Sequence, residues 1–141
     1  MTYKSILTIL TNASDAMLSI SAAAKLAESQ DAHLDVLVLG VDRTQVGYSY
    51  IGTGAVLMQA ALDRAENEAK EIEAAAKTAI SAQFPSLRWS SESLITQVGA
   101  LNEVVSARAR FADLVVLSRP YGTGRNSDAE AAMEAALFEG R

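Results

Sequence analysis

The chain alternates between two hydrophobic patterns, one typical of buried strands and one typical of amphipathic helices. Short stretches rich in apolar residues, continuous or alternating, predict four strands, over 3–10, 32–41, 87–97 and 113–118. Apolar residues recurring every three or four positions predict helices over 16–29, 55–83 and 99–111. A further helix is predicted over 128–138, where Ser127 and Glu130 resemble a capping box.

This order of elements predicts the fold class. Strands that alternate with helices pack as a parallel sheet, so we expect an α/β protein with a doubly wound, Rossmann-like sheet covered by helices on both faces. The 141 residues suit a single domain over 1–141. The pattern stops after the last predicted helix, where such a fold would add another strand.

Composition and charge narrow the classes of function. Half of the residues are hydrophobic and 21% are charged, as in globular domains. A net charge of −5 argues against a nucleic-acid partner, because phosphate binding requires a basic surface. We find neither a signal peptide nor an apolar run long enough to cross a membrane, so we expect a cytoplasmic protein with no membrane partner.

Few residues suggest catalytic chemistry. His33 is the only histidine, and we interpret it as a surface or hydrogen-bonded residue at the start of the second strand. There is no cysteine, and we expect neither a transition-metal site nor a Ser/His/Asp or Cys/His constellation. We therefore do not expect an enzyme.

Two segments, "AKLAESQDAHLDVL" (24–37) and "RFADLVVLSR" (110–119), carry a family resemblance. Together with the strand "YKSILTIL" (3–10), they resemble the universal stress protein family over the whole chain. The resemblance implies strand order 3-2-1-4-5, with the fifth strand missing here. It also implies likeness to the first half of a tandem family member, and a role in a bacterial-type stress response.

The same resemblance bears on nucleotide binding. Family members that bind ATP carry, after strand four, the spacing Gly, two residues, Gly, nine residues, Gly, then Ser or Thr, which brings backbone N–H groups to phosphates. No register around Gly122 and Gly124 gives this spacing. Such members also place an aspartate after strand one, where this chain has the neutral Thr11.

Topology still predicts where a ligand would lie. In open α/β sheets, ligands bind beyond the carboxyl ends of the strands, where the strand order reverses. The residues predicted at this nucleotide-type site are Thr11, Asn12, Val41, Ser118, Arg119, Gly122, Gly124 and Arg125.

Two functional hypotheses follow. The first is a regulatory or interaction module that binds no cofactor tightly. The alternative is an ATP-binding stress protein, with or without magnesium, in which Arg119 and Arg125 replace the lost backbone contacts. Without a fifth strand, the apolar segment 114–117 would form a sheet edge, so we also expect a homodimer or oligomer through that edge.

Overall fold

The structure is a computed structural model that describes residues 3–11, 13–42, 53–97 and 100–117. The predicted helix over 128–138 and most of the polar segment 42–54 lie outside these residues. The described elements, in chain order, are β1 (Ser5–Leu10), α1 (Ala13–Gln30), β2 (His33–Asp42), α2 (Thr53–Gln83), β3 (Trp89–Gln97), α3 (Leu101–Ala109) and β4 (Leu114–Val116).

The four strands form one parallel sheet in the order β3-β2-β1-β4. β1 lies inside this sheet, and its residue Ile6 is level with Leu34 of β2 and with Leu114 of β4. This arrangement confirms the predicted α/β class and the first four positions of the predicted strand order. Central position also explains why β1 and β2 are mostly apolar, since strands that are buried on both faces carry nearly continuous apolar residues.

Two hydrophobic cores cover the two faces of the sheet. The larger core packs α1 and α2 against one face through residues that include Ile6, Leu34, Val36, Ile20, Ile72 and Ile80. The smaller core packs α3 against the other face through Leu7, Ile9, Leu37, Leu39, Leu101 and Val105. Successive residues of β1 and β2 therefore belong to opposite cores, as the two-residue repeat of a strand requires.

Alanine and glycine allow the helices to approach closely. The buried faces of α1 and α2 present alanines, among them Ala23, Ala27, Ala69 and Ala76. At Gly40 of β2, an added Cβ would lie 2.5 Å from the carbonyl oxygen of Ala65 and 2.6 Å from Cδ1 of Ile95. Only glycine fits at this crossing of α2 over the sheet.

Some sequence-based details are corrected. Helix α1 begins at Ala13 rather than Ala16, and within the described residues β4 covers Leu114–Val116, without residues 113 and 117 of the predicted strand. Met17, predicted on the apolar stripe of α1, is 43% exposed, because the buried face is centred on Ala16, Ile20 and neighbouring alanines. None of the described helices combines the length and apolarity of a membrane-crossing segment.

Candidate functional site

The carboxyl edge of the sheet has a step. The last residue of β1, Leu10, is level with Val38, whereas β2 and β3 stay paired as far as Asp42 and Gln97. At about 3.3 Å per residue, positions 39–42 of β2 project about 13 Å beyond β1. The two longer strands thus form a wall beside the shorter β1 and β4.

The strand order reverses at the foot of this wall. From β1 the chain proceeds through α1 to β2 on one side, and it later returns through α3 to β4 on the other side. The crossover helices lie on opposite faces, α1 and α2 on one and α3 on the other. The boundary between β1 and β4 is therefore the switch point at which open α/β sheets bind ligands.

A buried hydroxyl joins the two strands at the switch point. Thr8 of β1 is completely buried, and its Oγ1 donates a 2.9 Å hydrogen bond to the carbonyl oxygen of Val116. The bond satisfies a polar group that would otherwise be costly inside an apolar core. Thr8 thereby fixes the position of the end of β4 relative to β1.

A cavity of about 430 Å³ lies at the opposite, amino half of the sheet. Leu7 and Leu37 line it from the face of the sheet, and Phe111 and Ala112 line it from the turn after α3. Its polar lining includes Asp35, Ser90, Glu92 and Arg108. The cavity exists because α3 ends at Ala109 and leaves this part of β2 and β3 uncovered.

A hydrogen-bond network occupies one wall of the cavity. Ser90 donates to Oδ1 of Asp35 over 2.7 Å, and Nε2 of His33 lies 3.0 Å from the Ser90 hydroxyl and 3.2 Å from the same carboxylate oxygen. The expectation that no Ser/His/Asp constellation forms was therefore wrong in one respect, because these three side chains lie within hydrogen-bonding distance of one another. In a catalytic triad the two histidine nitrogens face serine and aspartate separately. Here one nitrogen faces both, so the geometry is not that of a triad.

An ion pair forms another wall. The guanidinium of Arg108 on α3 holds both carboxylate oxygens of Glu92 on β3, with Nη2 donating to Oε1 over 2.7 Å. Both side chains are more than two-fifths exposed. Among the described residues, no group of three or more His, Asp or Glu side chains could hold a metal ion.

Two solved structures with the same architecture are universal stress proteins. Universal stress protein UspA from Lactobacillus plantarum aligns with a TM-score of 0.68 at 15% sequence identity, over 96% of this chain and 94% of that chain. A universal stress protein from Archaeoglobus fulgidus aligns with a TM-score of 0.52 at 13% identity, over 94% of this chain and 92% of that chain. This chain has the universal stress protein fold. No protein-family model matches the sequence, and neither does any curated protein.

Within the universal stress protein fold, two of the predicted site residues lie in the described part of the chain. Thr11 directly follows β1 and is half-buried, and Val41, also half-buried, lies in β2 beside Thr96 of β3. Because Leu10 is level with Val38, the next residue, Thr11, lies at the foot of the wall. Val41 lies two residues beyond the level of Thr11, toward the carboxyl end of β2. Their role in binding a nucleotide stays a prediction. The remaining predicted residues lie outside the described ranges: Asn12, Ser118, Arg119, Gly122, Gly124 and Arg125.

Sequence reasoning missed the amino-edge cavity of this universal stress protein fold. It did place His33 at the start of the second strand, and β2 begins at that residue. The partners of His33 were not apparent, because Ser90 is 57 positions away and becomes a neighbour only through the register of β2 with β3. The sequence signal is the presence of polar residues at the start of both strands, in "HLD" and "WSSE".

Proposed function

We propose that the chain is a universal stress protein domain that acts in the cytoplasm as a regulatory or interaction module of a bacterial-type stress response, without tight ATP binding. The universal stress protein fold supports the family assignment. Thr11, the neutral residue that follows β1, supports the absence of tight nucleotide binding.

Thr11 carries this proposal. It stands at the foot of the wall, where the family resemblance implies an aspartate in ATP-binding members. A carboxylate accepts two strong hydrogen bonds from a ribose diol, whereas a threonine hydroxyl is neutral and offers weaker acceptance. The broken glycine spacing around Gly122 and Gly124 removes, in addition, the pattern that brings backbone donors to phosphates.

The test is a direct search for bound nucleotide. Protein purified without added nucleotide is denatured, and the released small molecules are identified by mass spectrometry. In parallel, the unfolding temperature is measured with and without millimolar ATP and Mg²⁺, with an ATP-binding protein of the same fold as positive control. We expect no stoichiometric nucleotide and no thermal shift. Adenine nucleotide at one per chain would overturn the proposal in favour of the alternative based on Arg119 and Arg125.

We also propose that the domain forms a homodimer through segment 114–117. Within the described residues, β4 is the outer strand of the sheet and pairs only with β1. Leu114, Val115 and Val116 are apolar and half-buried, and an apolar outer strand favours pairing with another chain. Light scattering should then report twice the 14.9 kDa mass of one chain, with slow amide exchange at 114–117. A monomer with fast exchange there would refute the dimer.

A further inference from the structure

The amino-edge cavity is separate from the predicted nucleotide crevice. Asp35, in the wall of the cavity, precedes Val41 by six positions on the same strand. At about 3.3 Å per residue, the two levels of the sheet lie about 20 Å apart. A ligand in the cavity is therefore independent of the function proposed for the carboxyl edge.

Charge decides which ligands suit the cavity. The positive charge of Arg108 is balanced by the carboxylate of Glu92, to which Nη1 and Nη2 of Arg108 both donate hydrogen bonds. Among the described residues, the partners of Asp35 are the neutral Ser90 and the imidazole of His33, and both contact its Oδ1. In the described part of the chain, no hydrogen bond reaches its Oδ2. The lining thus carries one carboxylate with spare acceptor capacity, which favours a cation and disfavours an anion.

The rest of the lining is suited to an apolar group. Leu7 and Leu37 belong to the core beneath α3 and form the floor of the cavity, with only 4% and 2% of their surface exposed. Phe111 also lines it, although its side chain is 86% exposed and it is one of the large hydrophobic residues that the fold leaves in solvent. An aromatic ring at such a position can pack on an apolar group or face a cation.

We propose that this cavity binds a small organic cation, an ammonium group carried on an apolar body. The ammonium donates to Asp35, and the apolar body packs against the exposed ring of Phe111, above the floor formed by Leu7 and Leu37. Ser90 and His33 are positioning residues, because their hydrogen bonds hold the Asp35 carboxylate. The volume of about 430 Å³ lies within the range of small-molecule sites.

Binding of 2-phenylethylamine, used as a probe, tests this site. The protein is titrated and its backbone amide signals are followed by NMR, with phenylacetate as the matched anion of similar size. We expect saturable shifts at Leu37, Ser90 and Phe111 with the amine and none with phenylacetate. Shifts that do not saturate, or that are the same with both compounds, would overturn the proposal.

Two variants locate the contacts. Asp35→Asn removes the charge at nearly constant shape and should weaken amine binding about threefold to fivefold, as expected for one ion pair with a partly exposed carboxylate. Phe111→Ala changes an exposed side chain that the fold does not need, and it should weaken binding about threefold. Asp63→Asn, on the exposed surface of α2, is the matched control and should change nothing. Unchanged affinity in both Asp35→Asn and Phe111→Ala would refute the site.

Discussion

One carboxylate oxygen of Asp113, Oδ2, accepts a 2.8 Å hydrogen bond from the backbone N–H of Lys4, a residue 109 positions earlier. The same oxygen accepts a 3.1 Å bond from the N–H of Ser5, and the N–H of Asp113 donates in return to the carbonyl oxygen of Ser5 over 2.9 Å. Asp113 therefore joins the amino ends of β1 and β4, just as Thr8 joins their carboxyl halves.

Replacing Asp113 should loosen this junction. Asp113→Ala leaves two backbone donors without their acceptor, and we expect the free energy of unfolding to fall by about 1–2 kcal/mol. Asp113→Asn keeps an acceptor oxygen without its charge and should cost less. Urea unfolding measures both, with Glu71→Ala on the exposed face of α2 as control. Equal effects of Asp113→Ala and Glu71→Ala would contradict the role assigned to Asp113.

Thr8 offers a pair of variants that separates its hydroxyl from its methyl group. Thr8→Val keeps the shape but removes the donor to Val116, at an expected cost of about 1–2 kcal/mol. Thr8→Ser keeps the donor and loses one methyl. Amide exchange over Leu114–Val116 should accelerate in Thr8→Val and much less in Thr8→Ser. The reverse order would show that packing, and not the hydrogen bond, holds β4.

Gly40→Ala should be strongly destabilising. The new methyl group would overlap the carbonyl oxygen of Ala65, which belongs to the backbone and cannot rotate away. Moving α2 from the sheet should cost at least about 2 kcal/mol in the free energy of unfolding. Ser81→Ala, at an exposed position of the same helix, should stay within about 0.5 kcal/mol of the wild type. A stable Gly40→Ala protein would mean that α2 lies farther from β2.

The bond between Arg108 and Glu92 should contribute little to stability. Both side chains are largely solvated, so a double-mutant cycle with Arg108→Ala and Glu92→Ala should give a coupling energy below about 1 kcal/mol, decreasing with added salt. A coupling well above that value, insensitive to salt, would show that the pair is shielded from solvent.

Asp31 has a backbone conformation that suits glycine. It follows α1 with a φ of 52°, and the N–H groups of Asp31 and Ala32 donate to the carbonyl oxygens of Glu28 and Ala27. This is a Schellman helix end. Arg88 donates to the main-chain oxygen of Asp31 over 2.6 Å, a bond that a substitution preserves.

Glycine at position 31 should therefore be tolerated better than alanine. Asp31→Gly removes the Cβ strain and should raise the free energy of unfolding by up to about 1 kcal/mol relative to Asp31→Ala. Thermal unfolding of the two variants measures the difference. An alanine variant at least as stable as the glycine variant would contradict this interpretation.

Periodicity predicted the described elements well but not their lateral order. The first two strands are recognisable because their parts that are buried on both faces, such as residues 36–39 of β2, are continuous in apolar residues. Nothing in that pattern says that β4 lies beside β1, and this part of the prediction came from the family resemblance. Met17 shows the limit of periodicity within a helix, since spacing gives a direction around the axis but not which neighbours cover it.

The sequence predicted the candidate site at the carboxyl edge of the sheet but not the cavity at its amino edge. Thr11 and Val41 were located by a general rule, because loops after parallel strands meet at one edge. The opposite cavity needs the side chains of Asp35, Ser90 and Arg108, which come from three elements and meet only through strand register and the length of α3. The polar residues at the starts of β2 and β3 indicate that part of each strand is not buried, but which side chains come together depends on tertiary packing.

The bond from Thr8 to Val116 spans 108 positions, and this separation has a consequence for synthesis of the chain. β1 leaves the ribosome before the other described strands and can pair with β2 as soon as that strand follows. Its other side stays open until residues 114–116 emerge, and at ordinary translation rates that interval is on the order of ten seconds. β1 is therefore the first of the described strands to be synthesised, and its second edge is the last to be paired.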